Sequence, residues 1–173
     1  LREELQEKGH EFHSRSDTEV ILAAYAEWGD ACVERFNGMW AFALLDRKRQ
    51  RIFCSRDRFV VKPFYFTESD GLFAFGSEIR QLLPFLPHVA AEREILVDFI
   101  LTSISDHTEK TFFQGIRKLA GGHNLIYDLS RDRFTIERYY EIRRRPELEK
   151  VGPEEAAEIY REVLESAVQV RLR

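Results

Sequence analysis

The sequence predicts an α+β fold in which an antiparallel sheet carries helices on its face. Amphipathic patterns predict helices near the start of the chain, and short apolar runs between turn residues predict strands through its middle. Hydrophobic residues make up 44% of the 173 residues, and 14 of them are phenylalanines, so the chain can bury a core. These three observations exclude a disordered chain, and the length limits it to one full domain with at most part of a second.

Charge, hydropathy and cysteine content exclude several classes of protein. The chain has 26 Lys and Arg against 30 Asp and Glu, a net charge of -4, which provides no cationic field for nucleic acid. No apolar run approaches the roughly 20 residues that span a bilayer, so we expect no membrane partner. Cys32 and Cys54 lack a C-x-x-C spacing, which argues against zinc and against a disulfide framework. We therefore expect a cytoplasmic protein with no metal site.

The first segment is predicted to be helical. Leu1 to Gly9 has the pattern of a helix end, and Glu11-Phe12 after it has an alternating, strand-like pattern. Ser16 followed by Glu19 predicts a reciprocal capping box, which opens an amphipathic helix through Trp28. A short second helix is expected from Asp30 to Phe36.

The strands are predicted from apolar or alternating runs bounded by turn residues. They cover residues 39–45, 51–55, 64–66, 72–75, 115–119, 124–129 and 133–140. The first four are expected to form one β-meander, with a turn at 69–71 between the last two. Further helices are expected at 77–83 and 92–101.

The last part of the chain is predicted to be a linker and a helix. Residues 141–152 are polar and end at Gly152-Pro153, and proline at the first helical position opens an amphipathic helix over residues 153–173. The predicted domain thus covers residues 1–140. A lone helix of this kind cannot bury its own apolar stripe, so it either docks on the sheets or awaits another domain.

Few residues qualify as site candidates on pattern alone. Asp17 lies in a first helical turn, where its carboxylate can hold a ligand's ammonium group, although the helix dipole alone favours an acid there. The segment Arg56-Asp57-Arg58 with Lys62 is either an anion clamp or, by default, a self-satisfied ion-pair network. Cys54 lies in an apolar strand and is predicted to be inert, and His10 with His13 is too small a set for a metal.

A series of motifs, in order, resembles the glutaminase domain of asparagine synthetases, which are class II glutamine amidotransferases. The motifs are Gly9-His10-Glu11-Phe12, Ser16-Asp17-Thr18-Glu19, Asn37-Gly38-Met39-Trp40, Arg56-Asp57-Arg58-Phe59 with Lys62-Pro63, Phe75-Gly76-Ser77-Glu78, residues 111–119, and Gly122-His123. The family usually has Gly-Ile where this chain has Val60-Val61, and Val60 resists the positive φ that glycine accepts.

The resemblance implies a four-layer αββα sandwich of the N-terminal-nucleophile hydrolase type, and it implies that Asp17 binds the α-ammonium group of glutamine. In that family an N-terminal cysteine attacks the glutamine amide, and a second domain uses ATP and Mg²⁺ to amidate aspartate with the released ammonia.

The resemblance also implies that this chain is incomplete. Its only methionine is Met39 and it opens on Leu1, so we expect the nucleophilic cysteine and the N-terminal strands to lie upstream. The chain alone is then an inactive fragment with no catalytic residue and no cofactor of its own. Residues 153–173 would be the first helix of the synthetase domain. Glutamine and aspartate are the expected substrates, and a homodimer is possible.

Two alternatives stay open at this point. A related enzyme could use the same glutaminase to amidate another carboxylate, or the chain could be a non-catalytic module for glutamine binding or assembly.

Overall fold

The computed structural model describes residues 1–69 and 71–172. Asp70 in the predicted turn and Arg173 at the end of the predicted last helix lie outside the described residues. The chain divides into two compact units, residues 1–141 and residues 142–173. Each unit is described by itself.

Two helices and a 3-10 segment open the first unit. Helix α1 is Arg2–Glu7, helix α2 is Asp17–Trp28, and a 3-10 helix follows at Gly29–Arg35. Gly29 ends α2 with a φ of 61°, a conformation that glycine adopts without steric cost. The predicted helices are therefore present, although the one expected from Asp30 is a 3-10 helix.

The predicted capping box at α2 forms only in half. The Ser16 hydroxyl accepts from the backbone N–H of Thr18, as a cap should. The Glu19 carboxylate accepts instead from the backbone N–H groups of His13 and Ser14, upstream of the cap. Glu11-Phe12 is irregular rather than a strand, since these residues belong to the loop that Glu19 holds.

Four antiparallel strands form the first sheet, sheet A, in the order β1-β2-β6-β7. They are β1 Ala41–Asp46, β2 Arg51–Arg56, β6 His123–Asp128 and β7 Arg133–Arg138. The β1–β2 pair is a hairpin, in which Leu44 lies opposite Phe53. Strand β2 then pairs with β6, which comes far later in the chain.

Three further strands form sheet B, in the order β4-β3-β5. They are β3 Tyr65–Ser69, β4 Leu72–Gly76 and β5 Ile116–Lys118. The single meander predicted for the first four strands is thus wrong, because β1–β2 and β3–β4 are hairpins of two different sheets. Sequence pattern detects each hairpin, but the long-range β2–β6 and β3–β5 pairs decide the sheet to which it belongs.

The two faces of sheet A bury two apolar clusters. On one face Leu44 and Phe53 pack with Leu5, Ala24 and Tyr25 from the helical segment. On the other, between the two sheets, the buried side chains are Cys54, Phe64, Phe66, Leu119, Leu125 and Tyr127. Sheet A therefore lies between helices and sheet B, and the predicted α+β class is confirmed.

Helix α3, Arg93–Thr102, lies in the connection from β4 to β5, and its Ile95 is fully buried. Before it are two short 3-10 turns, Ile79–Gln81 and Leu83–Phe85, where a longer helix was predicted. In the second unit, helix α4 covers Pro153–Arg171 after a 3-10 turn at Pro146–Lys150. Along the part of the chain that is described, no helix is long and apolar enough to cross a membrane.

Candidate functional site

A cleft of about 210 Å³ opens at the start of α2. Its wall consists of Leu1, the first turns of α2 and the segment that enters β1; the lining residues are Leu1, Asp17, Val20, Ile21, Phe36, Asn37, Gly38, Met39 and Trp40. Asp17, Val20 and Ile21 share this wall because residues three and four apart lie on one face of a helix. The cleft thus combines an apolar wall with one carboxylate.

Asp17 is the only acidic side chain on the wall of this cleft. It is the first residue of α2 and is exposed. Among the described residues, no side chain or backbone group forms an ion pair or a hydrogen bond with its carboxylate. The negative charge is therefore available to a cationic ligand group.

The part of the wall that residues 36–40 form is fixed by buried aromatic side chains. Phe36 and Trp40 pack edge to face with ring centroids 5.4 Å apart, and both are more than nine-tenths buried. The Trp40 indole N–H donates to the Ser55 hydroxyl at 3.0 Å, which fixes the ring plane. Asn37 and Gly38 lie between the two aromatic residues and are held by these anchors.

Arg58 holds the same wall from outside. Its guanidinium donates to the backbone carbonyls of Phe36 and Glu34, at 2.6 and 3.0 Å. It also lies over the Trp40 ring, with the guanidinium carbon 5.6 Å from the ring centroid. Sequence reasoning gave this part of the site no role, because Asn37-Gly38-Met39-Trp40 entered only as a motif of the resemblance and residue 40 as part of the predicted strand 39–45. For the part of the wall that α2 forms, the sequence did carry a signal, the helical spacing of Asp17, Val20 and Ile21.

The segment Arg56 to Lys62 is neither an anion clamp nor an ion-pair network. Asp57 is 1% exposed, and its carboxylate accepts from the backbone N–H groups of Phe59, Val61 and Lys62, at 2.8 to 3.1 Å. Arg56 donates to the carbonyls of Lys62 and Leu119, at 2.7 and 2.5 Å. Both charges therefore bind backbone groups and fix a loop, which residue types alone do not reveal.

This loop contains Val60, where the sequence resemblance led us to expect glycine. Val60 has a φ of 62°, so this turn has the left-handed conformation even though a β-branched residue occupies it. The Asp57 hydrogen bonds to the residues on either side of Val60 hold that conformation.

Neither cysteine of the chain is placed to act as a nucleophile. Cys32 and Cys54 are both fully buried and unpaired. Burial, with a smaller contribution from Asp30, raises the pKa of the Cys32 thiol to about 12. Burial alone raises the pKa of Cys54 well above its usual range. Both thiols are therefore protonated near neutral pH.

The histidines considered as metal ligands lie elsewhere. His10 contacts Glu27, with a distance of 3.1 Å between the ring Nε2 and the carboxylate. His13 is exposed, and its backbone N–H donates to the Glu19 carboxylate at 3.0 Å. Within residues 1–69 and 71–172, no group of three or more His, Cys, Asp or Glu side chains is arranged to hold a metal ion.

Comparison with solved structures identifies the class of fold. The glutamine phosphoribosylpyrophosphate amidotransferase from B. subtilis, solved with ADP and GMP, superposes with a TM-score of 0.54 at 15% identity. The match covers 82% of this chain and 26% of that one. Over the matched part, this chain therefore shares its fold with that amidotransferase.

Comparison of sequences then identifies the family. The model of the glutamine amidotransferase domain matches residues 1–140, and the chain belongs to this family. Asparagine synthetase (glutamine-hydrolyzing) 3 of Bacillus subtilis (strain 168) is 40% identical over 144 residues, which is 82% of this chain. Asparagine synthetase (glutamine-hydrolyzing) 2 of the same organism is 34% identical over 168 residues, or 92% of this chain. The chain spans only 23% and 22% of the lengths of these two relatives.

Proposed function

We propose that this chain is the glutamine-binding part of a larger glutamine-hydrolysing asparagine synthetase. The complete enzyme would hydrolyse glutamine to glutamate and ammonia and would use ATP to amidate aspartate. The names and identities of the two synthetase relatives support this proposal. Residues 1–140 would belong to the glutaminase domain, 141–152 to a linker, and 153–173 to the first helix of the synthetase domain.

Asp17 is proposed to bind the α-ammonium group of glutamine. The observation that carries this role is the unpaired carboxylate at the wall of the cleft. A charged hydrogen bond between ammonium and carboxylate is among the stronger polar contacts in proteins. The apolar side chains of Val20 and Ile21 beside it would contact the methylene groups of the substrate.

The nucleophile is proposed to lie outside this chain, because Cys32 and Cys54 are buried with raised pKa values. A thiol that attacks an amide must reach the substrate and must lose its proton near neutral pH. ATP and Mg²⁺ are likewise proposed to bind the synthetase domain rather than the residues described. Aspartate as the second substrate, a homodimer and a cytoplasmic location stay predictions from sequence.

The test of this function is Asp17→Asn in the complete enzyme. We expect the KM for glutamine to rise at least about tenfold, since one charge-assisted hydrogen bond is lost. Asparagine formation from added ammonia measures the synthetase reaction without glutamine and should continue. The control is Glu11→Gln, an exposed acid on the loop before α2 that does not line the cleft. An unchanged glutamine KM in Asp17→Asn would contradict the proposed role.

A further inference from the structure

A loop of seven residues, Gly9 to Arg15, leads to Ser16, the cap of α2. The path of this loop therefore determines the position of Asp17, the first residue of the helix. The last turn of the loop is held by one carboxylate. Glu19 accepts from the His13 N–H at 3.0 Å, from the Ser14 N–H at 2.8 Å, and from the Ser14 hydroxyl at 2.7 Å. These bonds hold the pKa of Glu19 below its usual value, the Ser14 hydroxyl contributing most. The carboxylate is thus ionised near neutral pH, and both of its oxygens accept hydrogen bonds.

The bonds continue from Glu19 to the cap beside Asp17. The Ser14 hydroxyl accepts from the Ser16 N–H at 3.0 Å, and the Ser16 hydroxyl accepts from the Thr18 N–H at 3.2 Å. On the other side, the Arg2 guanidinium donates to the carbonyls of Ser14 and Ser16, at 2.8 and 3.1 Å. The backbone on the N-terminal side of Asp17 is therefore held by charged groups from α1 and α2.

Asp17 itself lacks any comparable anchor. No described group bonds to its carboxylate, so its position follows from the backbone of the first turn alone. A binding group must be held close to its productive geometry by its surroundings. In this site the carboxylate of Glu19, two residues further on, provides that support through the loop.

We propose that Glu19 is a positioning residue for substrate recognition, which holds the Asp17 carboxylate where it meets the α-ammonium group of glutamine. This inference rests on the proposed function of Asp17. The carboxylate of Glu19 does not contact the substrate. Its loss releases the loop and lets the Asp17 end of α2 shift or fray, which weakens recognition of the ammonium group in particular.

The experiment compares two substrates in the complete enzyme. Glutaric acid monoamide has the side-chain amide and carboxylate of glutamine but no α-ammonium group. The measured quantity is kcat/KM for glutamine divided by kcat/KM for the monoamide. Glu19→Ala should lower this ratio about three- to tenfold, because glutamine loses a contact that the monoamide never makes. Glu19→Gln keeps one acceptor oxygen and should lower it less.

The variants separate the possible outcomes. A Glu19→Ala variant that loses activity equally on both substrates, or on neither, overturns the positioning role. Glu19→Gln decides the question in the same way if the alanine variant does not fold. Glu11→Ala removes an acid of the same loop that does not line the cleft, and it should leave the ratio unchanged. Asp17→Asn must lower the ratio as well. If Asp17→Asn leaves the ratio unchanged, the proposed function of Asp17 is wrong, whatever the Glu19 variants show.

Discussion

The Asp57 loop offers a sharp test of how the fold is held together. Replacing Asp57 by alanine removes a 1% exposed carboxylate and leaves three backbone N–H groups, those of Phe59, Val61 and Lys62, without their acceptor. Hydrogen bonds to a charged group contribute about 1.5–3 kcal/mol each. The three are not additive, since the loop residues themselves are exposed and water can replace part of the loss.

We therefore expect Asp57→Ala to lower the free energy of unfolding by about 3 kcal/mol, the value of one or two such bonds. Equilibrium urea unfolding followed by circular dichroism measures this quantity. Asp57→Asn should lose less, because its carbonyl oxygen still accepts from Phe59 and Val61, while its NH₂ group faces the Lys62 N–H.

Asp128 provides the matched control. Its carboxylate also accepts three hydrogen bonds in a turn, from the Ser130 N–H, the Ser130 hydroxyl and the Arg131 N–H. Its side chain is about one-third exposed, so water can take over these bonds. Asp128→Ala should thus cost less than half of the Asp57→Ala loss. Equal losses for the two variants, or an Asp57→Ala loss below about 1 kcal/mol, would refute this account of the loop.

Two further predictions concern acid stability and catalysis. The Arg49 N–H and then the Tyr25 hydroxyl, by their hydrogen bonds, hold the pKa of Asp46 below its ordinary value of 3.8. Its stabilising effect is thus present above that pH and is lost as the pH falls through the folded-state pKa. The difference in unfolding free energy between wild type and Asp46→Asn should be full at pH 7 and should shrink below about pH 4; a constant difference would contradict the prediction. The purified 173-residue chain, verified as folded by circular dichroism, should release no glutamate from glutamine. Measurable hydrolysis would mean that the nucleophile is within the chain.

The sequence predicts local elements well because their signals are local. The seven strands of the described residues lie where apolar or alternating runs between turn residues place them, and α2 ends at Trp28 as expected. The assignment of strands to sheets was not predictable in this way, since the β2–β6 and β3–β5 pairs join residues far apart in the chain. No short stretch of sequence contains both strands of either pair, so a local pattern cannot show that they pair.

In the candidate site, too, the local features could be predicted from the sequence and the long-range contacts could not. Position 17 in a first helical turn, with 20 and 21 on the same face, is visible in the sequence. The part of the wall that residues 36–40 form is not, because it depends on Arg58 reaching the carbonyl of Phe36, 22 residues earlier. Likewise Asp57 was expected to pair with a cation, and only the three-dimensional path of the backbone shows that it binds amide groups instead.

The order of strands in sheet A has a consequence for how the chain folds. Strands β1 and β2 are joined by the short turn 47–50, whereas β2 and β6 are separated by residues 57–122, which contain all of sheet B. Closing a loop of n residues costs about (3/2)RT ln n, or about 4 kcal/mol for the long connection and about 1 kcal/mol for the turn. We expect the β1–β2 hairpin to form early and the centre of sheet A to close late, after much of sheet B has shortened the connection.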